Sequence, residues 1–148
     1  MKVAIVGSKK TTEKQLEEAI QASTFKVTSF IVAEQGGIDL LVTDYVNNLD
    51  LDVEIDSYAI QWDDLSAENA VVLTNKWGKQ YNKNAPANRT AKIIDDCDAM
   101  IILDDEEIEA NQCKRKIEGT DKPYYVHSVL NKTVAGIALN NEGYIYEF

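Results

Sequence analysis

The stretch best equipped for chemistry in this chain is Asn84-Ala85-Pro86-Ala87-Asn88-Arg89-Thr90. Nine residues after the arginine comes Asp98, followed by the apolar run Ala99-Met100-Ile101-Ile102-Leu103. This pattern predicts an arginine-bearing loop that feeds a short helix and then a buried parallel strand. A fixed positive charge would then lie near the sheet edge where α/β proteins hold their ligands. In a chain of net charge −10, that guanidinium could grip a carboxylate or phosphate with two parallel hydrogen bonds. The competing reading is an ion pair with Asp95 or Asp96.

Three further loops are expected at the same edge: Gly7-Ser8-Lys9-Lys10, Glu34-Gln35-Gly36-Gly37 and Asp104-Asp105-Glu106. Gly7 and Gly37 would let backbone N–H groups approach a phosphate at helix N-termini, or they serve simply as turn residues. Asp39 opens a helix, where a carboxylate can act as a cap or contact a ribose hydroxyl. Trp77 and Tyr81, flanking Gly78-Lys79, could form an aromatic wall for a base or sugar, or plug the core beneath a long loop. The cluster Asp104-Asp105-Glu106-Glu107 could hold a divalent cation through hard oxygens, the only cofactor the sequence suggests. A solvated helix N-terminus explains it as well. The chain carries no G-x-S-x-G elbow, no P-loop, no G-x-G-x-x-G and no Cys–His pairing. No catalytic residue stands out.

The elements that must position these groups alternate. Lys2 to Val6 reads as a strand, and Thr11 or Thr12 caps a helix along which Leu16, Ala19 and Ile20 recur. Val27 to Ala33 is a second strand, followed by helical spacing in Leu40, Leu41, Tyr45 and Val46. Val53 to Gln61 predicts a third strand ending at Trp62, and Ala67 to Leu73 a short helix. Ala87, Ala91 and Ile94 share one helical face before the strand Ala99–Leu103. Glu106 to Ile117 is a helix with its acids first and its bases last, the order the helix dipole favours. Pro123 to His127 is a fifth strand, and residues 132–148 predict a hairpin turning at Asn140-Asn141-Glu142-Gly143. The expected fold is α/β: a single doubly wound, Rossmann-like parallel sheet with a C-terminal β-hairpin, all in one domain over 1–148.

Composition sets the limits. A 148-residue chain can bury roughly two-thirds of its unfolded surface as one domain. Its acidity argues against nucleic acid as partner, because phosphate backbones are gripped by clustered Lys and Arg. No apolar run reaches the length of a membrane span, and the N-terminal stretch is too short for a signal peptide. Cys97 and Cys113 stand outside any metal or C-x-x-C spacing and read as free thiols in a reducing cytoplasm. His127 has no evident carboxylate or thiol partner.

In its ordered pieces the chain resembles the SLOG superfamily, and within it the small YspA-like proteins. Those run a strand and G-S-R, a second strand and S-G-G-A-x-G-x-D, then a Trp, Y-G-K, A-G-x-x-R-N, a strand-opening aspartate and a final G-x-S-x-G-T. Here Gly7-Ser8-Lys9 matches the first motif with Lys for Arg, and Gly37-Ile38-Asp39 the end of the second. Trp62, Trp77-Gly78-Lys79, Ala85 through Arg89-Thr90, and Asp98 follow in the same order. The likeness covers residues 1–127. It departs where Ala33 and Glu34 replace paired glycines, where an insertion separates Trp62 from Trp77, and where Asp104-Asp105-Glu106-Glu107 stands in place of the last glycine-rich loop. The phosphoribohydrolase motif of one branch is absent.

The resemblance implies binding or sensing of a nucleotide-type small molecule by Gly7, Ser8, Lys9, Gly36, Gly37, Asp39, Trp77, Lys79 and Arg89. Two other functions compete: an acidic interaction module that has lost its ligand, and an N-glycosidic hydrolase using Asp39 or Glu34. It also implies a homo-oligomer, for which Leu40, Leu41 and Tyr45 or the hairpin edge could serve.

Overall fold

Strand β1 (Lys2–Gly7) and strand β6 (Ala99–Asp104) form the centre of the molecule because almost nothing in them is polar. All six residues of β6 are buried. Around this pair a parallel five-stranded sheet takes the order β3-β2-β1-β6-β7, with β2 spanning Ser29–Ala33, β3 Glu54–Tyr58 and β7 Tyr124–Ser128. The structure is a computed structural model. It describes residues 1–130 in full and, beyond them, the backbone of β8 (Gly136–Asn140) and β9 (Tyr144–Glu147).

Successive residues of a strand point to opposite faces, so each strand feeds two cores. Val3, Ile5, Phe30, Val32, Ile101 and Leu103 pack beneath α1 (Glu13–Ser23) and α2 (Ile38–Asn48). Ala4, Ile31, Met100 and Ile102 pack beneath α3 (Ala85–Asp96) and α4 (Ile108–Glu118). This is the doubly wound, Rossmann-like arrangement the alternating pattern predicts. The chain winds outward from β1 to β3 on one side, then crosses to β6 and β7 on the other. β1 and β6 therefore flank the topological switch point.

Local chemistry sets the helix starts. Thr12 closes a capping box with Gln15: its hydroxyl accepts from Gln15 N at 3.1 Å, and Thr12 N donates to Gln15 Oε1 at 2.9 Å. Pro86 occupies the first turn of α3, where its missing N–H costs nothing. At the base of the sheet, Lys2 N donates to Asp98 Oδ2 at 2.8 Å and Asp98 N to Lys2 O at 2.7 Å. The aspartate that opens β6 thus pins the start of β1.

Several sequence expectations are corrected. No helix forms over Ala67–Leu73; the segment is a series of turns leading into β4 (Val72–Thr74), which pairs antiparallel with β5 (Gln80–Asn82). A three-residue apolar run has no period by which helix and strand can be told apart, and long-range pairing decides. β3 ends at Tyr58 rather than running to Gln61. On α2 the buried stripe is Ile38, Val42, Tyr45 and Val46, with Leu40 58% exposed. Leu40, Leu41 and Tyr45 are thus not one free face for self-association, because Tyr45 belongs to the core. On α3 the core receives Ala85, Ile93 and Ile94, whereas Ala87 and Ala91 are exposed. β8 and β9 pair antiparallel as the expected hairpin; its turn at 141–143 lies outside the described residues.

Candidate functional site

Gly7 ends β1 opposite Leu103 of β6, at the switch point. Its φ is +131°, and a Cβ built there would lie 2.1 Å from the Leu103 carbonyl oxygen. Only glycine lets the two strands close at this level and the chain turn outward. Ser8 follows, buried, and organises the loop. Its N–H donates to Leu103 O (3.1 Å), its Oγ accepts from Lys10 N (3.1 Å), and its carbonyl accepts from Thr11 Oγ1 (2.7 Å). Lys9 and Lys10 are left exposed at the rim.

The β2–α2 loop packs against this one. A Cβ on Gly37 would lie 2.8 Å from Lys9 Cβ, so the glycine is what permits the approach. Asp39 turns its carboxylate back on its own loop, where Oδ1 accepts from Gly37 N at 2.8 Å. Burial pushes its pKa upward, but the backbone N–H groups of Gly37, Gly36, Asp39 and Gln35 outweigh that and hold it below the ordinary aspartate range. The Asp39 carboxylate therefore braces the start of α2, whose N-cap residue is Gly37. Gly36, at φ +74° and with open space around it, turns the chain and takes no part in lining the neighbouring cleft.

In front of these loops lies a cleft of about 880 Å³. Gly7, Ser8, Lys9 and Lys10 of the β1–α1 loop line it, together with Gln35, Gly37 and Ile38 of the β2–α2 loop. Asp105, Glu107 and Glu109 from the entry to α4, and Val129 and Leu130 after β7, belong to the same lining. Of the residues singled out from sequence, Gly7, Ser8, Lys9 and Gly37 meet here. Lys10, Gln35, Asp105 and Glu107 come from the loops and the acidic cluster expected at this edge, whereas Glu109 and Ala110 of α4 and Val129 and Leu130 after β7 were not anticipated.

Arg89 is not part of this lining. It lines a small cavity of about 40 Å³ that shares Gly7, Gln35, Ile38 and Glu109 with the cleft, and another of about 440 Å³ between residues of β3 and α3. Its Nη1 donates to Glu34 O at 3.2 Å and its Nη2 to Gln35 Oε1 at 3.3 Å, bracing the β2–α2 loop from α3. Nε is buried without a partner among the described residues. Burial pulls the guanidinium pKa down, with Glu109, Asp39 and Glu34 acting against that. The ion pair with Asp95 or Asp96 does not form. Asp96 instead accepts from Lys92 Nζ (2.9 Å) and from the Tyr58 hydroxyl (2.6 Å), which pushes the Tyr58 pKa up to about 12.

Trp77 and Lys79 lie in and beside the β4–β5 turn, outside the cleft lining, with Trp77 79% exposed beneath Lys76 Nζ (4.6 Å). Tyr81 packs edge-on against Trp62 at 6.0 Å. The acidic cluster is largely occupied with its own loop. Asp104 pairs with Lys114 at 2.9 Å and accepts from Glu106 N at 2.8 Å, and Asp105 accepts from Glu107 N at 3.0 Å. Among the described residues no group of acidic, His or Cys side chains is arranged to hold a metal ion. Glu106 sits at φ +63°, a conformation in which glycine is the unstrained residue.

Burial pushes the Asp104 pKa up, yet Lys114 and the Glu106 N–H hold it below the ordinary range. Asp96 is lowered too, by Tyr58 and Lys92. With Asp39, these groups bind protons less tightly folded than unfolded. Their stabilisation is full above the unfolded value near pH 4 and is lost as pH falls through the lower folded values. The melting temperature is expected to drop steeply below about pH 4, with a shallower acid limb in Asp104→Asn. A melting temperature that is flat from pH 5 to 3 would contradict this.

A scan against models of known protein families, and searches of curated proteins and of solved structures, gave no match.

Proposed function

We propose that the chain binds a nucleotide, or another nucleotide-derived anionic metabolite, in the cleft at the switch point. The observation that carries this reading is the position of the cleft. It lies where strand order reverses, lined by Gly7 and by two exposed cations, Lys9 and Lys10, at the entry to α1. Its volume is in the range of small-molecule sites. We infer kinship with the SLOG superfamily from the order of short motifs along a Rossmann-like sheet. A cytoplasmic setting agrees with the two unpaired thiols, Cys97 and Cys113, whose burial raises their pKa and keeps them protonated. Among the described residues no helix is long and apolar enough to cross a membrane.

The hydrolase reading has less support. Neither Asp39 nor Glu34 lines the cleft, and the Asp39 carboxylate already accepts from Gly37. The interaction-module reading draws on a separate observation: Trp62, Val71, Val72, Leu73 and Trp77 are all exposed in the segment between β3 and α3.

Calorimetric titration with a nucleotide panel tests the main proposal. At least one nucleotide is expected to bind, and the double variant Lys9→Glu/Lys10→Glu to weaken it by about 1.5–3 kcal/mol, roughly ten- to a hundredfold. Binding that is absent, or indifferent to both lysines, would overturn it.

A further inference from the structure

We infer that the cleft is built for a dipolar ligand, one carrying an anionic group and, at some remove, a cationic or strongly hydrogen-donating group such as an ammonium. This rests on the reading that the cleft binds a nucleotide, and it narrows that reading to nucleotides bearing a basic substituent. The decisive observation is that charges of opposite sign line one cleft without neutralising each other. Lys9 and Lys10 come from the β1–α1 loop, and Glu107 and Glu109 from the entry to α4. The ion pairs among the described residues are Lys92–Asp96 and Lys114–Asp104, so no Lys–Glu pair closes within the lining.

Had the cleft only to remain soluble, its flexible lysines and glutamates could have paired. They form no such pair among the described residues, and a bound molecule can engage both. Asp105 is different, because its carboxylate caps the Glu107 N–H. Glu107 and Glu109 make no side-chain hydrogen bond within the described residues and are both exposed. Burying a ligand in the cleft would strengthen each attraction, since displaced water no longer screens it. It would equally strengthen repulsion of a second or third phosphate driven toward the glutamates. Besides the charged residues, Ile38, Ala110, Val129 and Leu130 offer apolar surface for a base. The same lining thus favours a zwitterion and disfavours a nucleoside polyphosphate.

The test compares two esters of one nucleoside 5′-phosphate, the 2-aminoethyl and the ethyl ester. They differ essentially in a single ammonium group. Titration uses the full chain in metal-free buffer, with the parent monophosphate and triphosphate alongside and the base taken from the panel above. The aminoethyl ester is expected to bind at least tenfold tighter than the ethyl ester. Glu107→Gln/Glu109→Gln should reduce that ratio to within twofold and narrow the deficit of the triphosphate. Equal affinities for the two esters, with the monophosphate still bound, would overturn this inference and leave nucleotide binding standing. A triphosphate that binds tighter than the monophosphate, with or without Mg²⁺, would overturn it too. Failure of every nucleotide to bind would remove both.

Discussion

Gly7→Ala is expected to lower the melting temperature by about 6–18 °C. Two costs combine. The residue sits at φ +131°, which an L side chain rarely adopts, and the new Cβ would meet the Leu103 carbonyl oxygen at 2.1 Å. The strain is worth about 1–3 kcal/mol and the overpacking a similar amount. Because the clash is with backbone, no rotamer change relieves it; β1 and β6 must separate where they pair Gly7 with Leu103. For a domain of this size each kcal/mol moves the midpoint by about 3 °C. Gly36→Ala is the control, with φ +74° but nothing within 4 Å of the added atom, and it should cost only about 1 kcal/mol. Comparable melting curves for the two variants would show that the approach of β1 to β6 is not what requires glycine.

Asn82→Ala is expected to detach the β4–β5 segment while leaving the main sheet folded. Asn82 is fully buried, and its Oδ1 accepts from Val71 N (3.1 Å) and Asn84 N (2.9 Å). One amide thus ties β4 to β5 and both to the start of α3. Alanine leaves two backbone donors without acceptors, at about 1–3 kcal/mol each where water cannot replace the bond. The loss is local, because the segment has its own small sheet and little shared core. Both tryptophans of the chain, Trp62 and Trp77, lie in it. Their fluorescence therefore reports on this segment alone, and far-UV circular dichroism reports mainly on the rest. In the variant the fluorescence transition should precede the dichroism transition by several degrees. Coincident transitions at the original temperature would mean that Asn82 holds nothing in place.

The two variants probe parts of the chain that differ in how far sequence reveals them. Lys2–Val6, Val27–Ala33 and Ala99–Leu103 are legible as strands because a parallel strand covered on both faces must be apolar at nearly every position. Helix entries were legible where a side chain close in sequence does the capping, as with Thr12 and Gln15. Asp98 was recognisable as the opening of a strand, though not its bonds to Lys2. Residues 59–84 were not legible, since their order rests on one buried amide and on pairing between Val72–Thr74 and Gln80–Asn82. No periodicity records either.

The candidate site divides the same way. Sequence by itself determined the Rossmann-like winding, the glycines at the strand ends and the cations beside them, because these follow from apolar alternation and from turns that tolerate little but glycine. Tertiary structure alone decided which charges meet. It joined Arg89 to Glu34 and Gln35 of the β2–α2 loop, and folded Asp39 back onto Gly37. It also brought Glu107 and Glu109 into one cleft lining with Lys9 and Lys10. Charge is a property of a residue, but an electrostatic environment belongs to positions brought together by strand order, and the order β2-β1-β6 makes neighbours of loops that lie far apart along the chain.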